Sequence, residues 1–308
     1  MNRRAWCVVT AVLVAGVSLV SAQVAVTSVV RLSLPAQGAW QSPRFSPDGQ
    51  RIFLTTEGYD GIWEFRRSDG ELRQLSADRR AGFGFAVSPD GRELAFRRLK
   101  PGTRWQDRQQ ELVVVQLSTG KQSVRASGKE LSVPAFAGSA LAYSTGKNSL
   151  QFSAPVAAEQ VSLIGIEETK IALLRGKSKE LLDPFGSGSY VWPSLSPDRT
   201  RIVAYEMGKG TFVCDLRGNV LSRLGRRDAP SWTRDGKWIA FMDEKDDGQR
   251  ILASDIAMIS ADGKMVIRLT STPDVMEMYP DCSPVDNSVA FSTMKGEVFL
   301  LRYEEATR

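Results

Sequence analysis

The sequence predicts an all-β fold, a six-bladed β-propeller with an N-terminal strand closing the last blade, and three observations predict it. A short phrase recurs six times along 308 residues, each copy is followed by an apolar run and usually a hairpin, and a segment near the N-terminus matches the strand that the last copy lacks. The phrase joins a Ser-Pro-Asp-Gly turn signal to a β-branched and aromatic run, which is how a repeated antiparallel sheet reads in sequence.

The copies run in order along the chain. Residues 43–49 precede Ile52-Phe53-Leu54, and residues 85–91 precede Leu94-Ala95-Phe96. Fainter copies pair Pro134-Ala135-Phe136 with Leu141-Ala142-Tyr143, and residues 193–198 with Ile202-Val203-Ala204-Tyr205. Residues 230–236 precede Ile239-Ala240-Phe241, and residues 280–284 precede Val289-Ala290-Phe291. Strand a of each unit ends at the phrase, where proline presets φ and glycine takes a positive φ that other residues avoid. Strand b is the apolar run, and strands c and d form a hairpin such as residues 61–65 and 72–75 around Ser68-Asp69-Gly70. With Phe45, Val87, Phe136, Leu195, Trp232 and Cys282 taken as equivalent, the steps are 42, 49, 59, 37 and 50 residues. The long third step places strands c and d of repeat three at residues 171–174 and 180–182. It leaves 146–169 as an insertion in which 150–153 and 161–166 form an extra hairpin, with a count of seven blades as the alternative to six. The last unit ends on a strand c, residues 297–301. Val29-Val30-Arg31-Leu32-Ser33 resembles the strand d at 266–270 and is predicted to fill the vacant place, covering an open edge.

Arg3 and Arg4 precede an apolar stretch at 5–20, and Val20-Ser21-Ala22 supplies the small residues of a cleavage site. Residues 1–22 therefore read as a signal peptide, and 23–308 as a single propeller domain that is periplasmic or secreted. The alternative is a retained anchor, against which the stretch falls short of the roughly 20 residues that span a bilayer. Loss of the two arginines lowers the net charge from +5 to +3, with no basic cluster, so nucleic acid is not an expected partner. Cys214 and Cys282 fall in units that are not neighbours, so buried thiols are expected rather than a bridge.

The Ser-Pro-Asp-Gly phrase with its Ile/Leu-Ala-Phe run resembles the repeat of TolB-type six-bladed propellers, shared with the propellers of the prolyl oligopeptidase and dipeptidyl peptidase families. The likeness covers about residues 29–303. TolB-type proteins carry a separate α/β domain and the peptidases a hydrolase domain, and this chain has room for neither. The resemblance implies a monomeric, non-enzymatic scaffold or adaptor that binds an envelope protein or peptide, a peptidoglycan-associated lipoprotein among the candidates.

The chain contains no histidine. That excludes a Ser-His-Asp triad, a Cys-His nucleophile and histidine-ligated metals, including the site that resemblance would require of a propeller-type oligogalacturonate lyase. No catalytic residue, metal or cofactor is expected. Carboxylate chemistry stays open, and the alternative reading is a carbohydrate-binding or carbohydrate-active propeller using carboxylates near the central channel. The recurring Asp48, Asp90, Asp198 and Asp235 read as turn residues bonded to their own backbone. Residues 175–178 end like a phosphate loop, but Ile171 stands where that motif needs glycine, and the acidic stretch 243–248 reads as a solvated turn. What remains is the face carrying the b-to-c and d-to-a loops, rich in aromatic, methionine and arginine residues. The candidate binding residues are Trp40, Tyr59, Phe83, Arg104, Trp105, Arg108, Tyr190, Trp192, Met276 and Tyr279, with Trp105 and Arg108 foremost at an insertion tip.

Overall fold

The computed structural model describes residues 24–305 other than 103, 108, 147, 148 and 248, so the predicted signal peptide lies outside the described residues. The described residues open with β1 (Val24–Arg31) and then build sheets in sequence. Blade 1 holds β2 (Trp40–Phe45), β3 (Arg51–Thr56), β4 (Ile62–Arg66) and β5 (Leu72–Ser76). Blade 2 holds β6 (Ala86–Val87), β7 (Glu93–Leu99), β8 (Gln110–Gln116) and β9 (Gln122–Gly128). Two three-stranded sheets follow: blade 3 with β10 (Ala135–Ala137), β11 (Ala140–Ser144) and β12 (Leu150–Phe152), and blade 4 with β13 (Val161–Glu167), β14 (Lys170–Arg175) and β15 (Ser178–Leu182). Blade 5 holds β16 (Tyr190–Leu195), β17 (Arg201–Glu206), β18 (Gly210–Asp215) and β19 (Val220–Gly225). Blade 6 holds β20 (Asp228–Trp232), β21 (Trp238–Asp246), β22 (Ile251–Ser260) and β23 (Val266–Arg268). In blade 7, β24 (Glu277–Cys282), β25 (Ser288–Thr293) and β26 (Val298–Glu305) are joined by β1, which pairs antiparallel with β26 from Val24↔Glu305 to Arg31↔Phe299. The N-terminal closure expected from the sequence is therefore present.

The described residues form seven blades, not six, and the direction of β13 explains the miscount. The Tyr190 N–H, at the loop-face start of β16, donates to Thr169 O at 2.9 Å, so Thr169 also lies on the loop face. Arg199, in the Ser-Pro-Asp turn at the opposite face, donates to Val161 O. β13 thus climbs from turn face to loop face, the direction of a strand b, and β14 and β15 follow as strands c and d. The chain omits the outer strand of blade 3 and the strand a of blade 4. Six turn phrases accordingly serve seven blades, because a blade without strand a has no a-to-b turn to advertise it. The predicted extra hairpin does not form: β12 pairs with β11 and β13 pairs with β14.

Four of the six phrases are self-contained turns. The Ser46 hydroxyl donates to Asp48 Oδ1 at 2.5 Å and accepts the Arg51 N–H at 2.9 Å, while Asp48 Oδ1 accepts the Gln50 N–H at 3.0 Å. Ser88 with Asp90, Ser196 with Asp198 and Thr233 with Asp235 repeat the pattern. The Ser88 hydroxyl and the Arg92 N–H hold the Asp90 carboxyl below the usual carboxylate range. Arginines bind successive turns together, Arg51 Nη2 donating to Gly91 O and Arg201 Nη2 to Gly236 O, each at 3.0 Å.

Seven apolar clusters fill the ring among the described residues, one per seam between blades. Cys214 and Cys282 are free thiols buried in the clusters of the 4/5 and 6/7 seams, and burial pushes both up to about 12. No helix among the described residues is long and apolar enough to cross a membrane.

Candidate functional site

Strand a is bulged in blades 1, 5, 6 and 7 at the residue before its proline. Ser42, Trp192, Ala229 and Tyr279 there take φ values of 51°, 51°, 48° and 55°, and the pairing register shifts around each of them. A β-bulge re-aims the side chains on either side of it. Trp192 stands 41% exposed with its ring edge-on to Tyr205 at 5.8 Å. Tyr279 is half-buried, and burial together with nearby Tyr59 and Glu244 raises its phenol. The residue three positions before the proline does the opposite work and packs the seam. This corrects two candidates. Trp40 is 4% exposed, edge-on to Trp63 at 5.0 Å, its indole N–H donating to Pro35 O at 2.9 Å. Tyr190 is 1% exposed, its hydroxyl donating to Asp183 at 2.7 Å and accepting the Phe185 N–H.

The other candidates separate into a rim and its periphery. Tyr59 and Phe83 meet edge-on at 5.4 Å, with Phe83 exposed and the Gly82 N–H tied to Tyr59 O at 2.9 Å. Met276 is half-buried, its carbonyl accepting the Met294 N–H. Arg104 is exposed on the loop after β7. Arg108 and the Trp105 side chain lie outside the described residues.

Residues the sequence reading missed complete the rim. β21 and β22 form a hairpin whose first strand, at nine residues, is three longer than its counterpart β17. It carries Glu244 toward Asp228 at the start of β20. The two carboxyl groups share a hydrogen bond, and burial, followed by the Asp228 carboxyl, pushes Glu244 up to about 7. Arg226 braces the pair, at 3.4 Å from each, and also contacts Asp246. Burial first, then the charge of Asp228, raises the Tyr205 phenol. The rim therefore runs from Trp192 and Tyr205 in blade 5, through Asp228 and Glu244 in blade 6 and Tyr279 in blade 7, to Tyr59 and Phe83 in blade 1 and the loop after it. Beside it, Tyr205, Met207, Gly208, Lys209, Gly210 and Arg226 line a cleft of about 390 Å³. The only sequence signal for the missed residues was the unusual length of the acidic hairpin.

A second cleft, of about 510 Å³, opens on the turn face by the closing strand. In it Lys237 bridges Asp235 at 2.9 Å and Glu305 at 3.3 Å, and Arg234 donates to Asn287 at 2.9 Å. Among the described residues no group of histidine, cysteine or acidic side chains is arranged to hold a metal ion.

No sequence-family model matches the chain, and no curated protein matches it. Among solved structures, the β-propeller domain of Myceliophteria thermophila Cps50 (Swd1) is similar at a TM-score of 0.61 and 10% identity, over 92% of this chain and 99% of that one. The RRP9 WD40 repeats are similar at 0.56 and 12%, over 90% and 97%. TolB from Acinetobacter baumannii is similar at 0.50 and 18%, over 75% of this chain, which spans about half, 54%, of that protein. At these identities the likeness shows the fold alone: the chain is a β-propeller.

Proposed function

We propose that the protein is a binding propeller whose loop face receives a protein or peptide partner. One observation carries this reading. Large exposed apolar side chains gather on that face beside the rim: Phe83 at 53%, Trp192 at 41%, Leu252 at 50%, Met207 at 61% and Met294 at 60%. Aromatic, methionine and arginine side chains set among carboxylates have the composition of an interface core with a polar margin. An envelope partner, the role TolB-type resemblance implies, follows if the chain is exported.

The raised Glu244 carboxyl, hydrogen-bonded to Asp228, favours one further reading, a carbohydrate-active site, because an acid held protonated near neutrality can serve as a proton donor. Hydrogen-bonded carboxyl groups, however, sit closer together than the roughly 5 Å or more that a glycosidase pair needs to flank the scissile bond. Binding is the better fit.

Phe83→Ala combined with Trp192→Ala tests the proposal, since both rings are exposed and their loss leaves the seams intact. In-cell crosslinking of the tagged chain followed by mass spectrometry should capture one reproducible partner that the double variant loses at unchanged melting temperature. Capture lost instead in Trp105→Ala with Arg108→Ala moves the site to the blade 2 insertion. No protein partner, with stabilisation by glycan fragments, overturns the proposal in favour of the carbohydrate reading.

A further inference from the structure

Arg97 is a half-buried guanidinium without a counter-ion among the described residues. The paired arginines of the ring show what it lacks: Arg98 meets Glu111 at 3.0 Å and Asp78 at 3.5 Å, Arg73 meets Glu64, and Arg67 meets Asp286. Arg97 makes one hydrogen bond, from Nη1 to Leu131 O at 2.8 Å, and its Nε–H is buried with no acceptor. No carboxylate among the described residues opposes the burial that lowers its pKa. A guanidinium carries five N–H donors in a planar fork, and a single carbonyl leaves most of that capacity unused.

Its position is equally specific. In β7 the side chains alternate, so Leu94, Phe96 and Arg98 face blade 1 while Ala95 and Arg97 face blade 3. The inner strand β6 pairs with β7 only as far as Ala86↔Ala95. From Phe96 onward no described strand pairs with β7 on the channel side, and the loop before β6 lies there instead, with Gly84 against Val133 of blade 3. Below Arg97 lies the apolar floor of Ala95, Leu112, Leu131 and Leu141. The loops before and after this end of the blade expose Arg79, Arg80 and Arg104; Arg79 lies 3.9 Å from Asp60, so Arg80 and Arg104 add the positive potential.

We infer that Arg97 is an anion subsite of the loop face, where its free guanidinium edge receives a carboxylate of the bound partner, either an acidic side chain or a chain end. The inference rests on the loop-face reading for its partner. A planar fork matches a carboxylate with two parallel hydrogen bonds, and a half-desolvated site strengthens both.

Thermal unfolding of the full chain in sodium acetate, against sodium chloride of equal ionic strength at pH 7, tests it with the bare carboxylate. At acetate about tenfold above its dissociation constant, the melting temperature should exceed that in chloride by about 3–5 °C. Arg97→Gln should abolish the difference while melting no lower than the parent in chloride, because it removes an unpaired desolvated charge. Should Arg97→Gln fail to fold, Arg97→Lys, which cannot form the paired bonds, must respond less than half as strongly. N-acetylglutamate amide and N-acetylalanine, compared in the same way, separate a side chain from a chain end. An equal response to acetate and chloride, or an undiminished response in the variants, overturns the inference. That failure is distinct from failure of partner capture, which is read on Phe83 and Trp192.

Discussion

The 6/7 seam and the 3/4 seam lie in one ring and are built very differently. The first buries eleven residues, among them Trp238, Phe291, Leu301, Tyr303 and Val24 of the closing strand. The second buries three, Ala137, Ala142 and Leu174, with only partly buried residues around them. The 6/7 seam adjoins the blade where the chain's two described ends meet, yet it is the richer of the two. Hydrogen bonding along β1 and β26 holds that blade together, whereas blades 3 and 4 lack the two strands that would thicken their seam. Continuity of the chain is a poor guide to where a ring is strong; the area buried between blades is a better one.

The largest expected effect would break the comparison at its strong end. Deleting Val24–Arg31 removes β1 and its pairing with β26, takes Val24 from the 6/7 cluster and exposes a long strand edge. The truncated chain should show no cooperative thermal transition by circular dichroism; a melt matching the intact chain would mean that closure does not hold the ring. A finer comparison uses one substitution in both seams. Leu301 and Leu174 are both fully buried. Leu301→Ala should cost about 4 kcal/mol in urea unfolding and Leu174→Ala about 2–3 kcal/mol, because a sparsely filled seam collapses onto the lost volume more readily. The reverse order would show that the small 3/4 cluster is the tighter one.

What the sequence made legible follows from where repeat signals sit. The Ser-X-Asp turns are local, three hydrogen bonds within six residues, so they are readable one by one and predict the blades that own them. The match of 29–33 to a strand d found the closure for the same reason. Blade 4 has neither signal, because a missing strand a leaves no turn and β13 reads only as an apolar stretch inside an insertion. The site was legible in part. Phe83, Trp192, Tyr59 and Tyr279 reach the rim, but Trp40 and Tyr190 do not, because the position three before the proline in strand a faces the seam. Positions two apart would share a face in a regular strand, and the bulge divides them between surface and core. Asp228 and Glu244 come together from strands in register two residues apart, Asp228↔Met242, which periodicity alone does not reveal.

The smallest effect sharpens the comparison through pH, since the rich arc of the ring carries carboxyl groups that burial disfavours as anions. Asp281, in strand a of blade 7, accepts the Phe45 N–H from blade 1 at 2.7 Å and the Ser231 hydroxyl from blade 6 at 3.5 Å, and burial pushes it up to about 6 against the Arg44 charge. Glu277 is likewise raised by burial, against hydrogen bonds from Thr270, Thr272 and the Ile256 N–H. With the folded value above the unfolded one, the folded state holds the proton more tightly. The contribution of Asp281 is therefore complete below about pH 4 and is lost as pH rises through about 6, and that of Glu244 is lost through about 7. Urea unfolding should show the protein more stable at pH 5 than at pH 8, with Asp281 supplying about 1 kcal/mol of the difference. Asp281→Asn keeps an acceptor for the Phe45 N–H and should flatten that part of the profile. At the other extreme, the Lys170 ammonium, with the Tyr190 hydroxyl, holds Asp183 down to about 2, so its contribution disappears only as pH falls from about 4 toward 2. A profile that rises from pH 5 to pH 8 in the parent, or one unchanged in Asp281→Asn, would mean that the carboxylate bridging blades 6, 7 and 1 ionises freely and that this arc is less tightly closed than its buried residues imply.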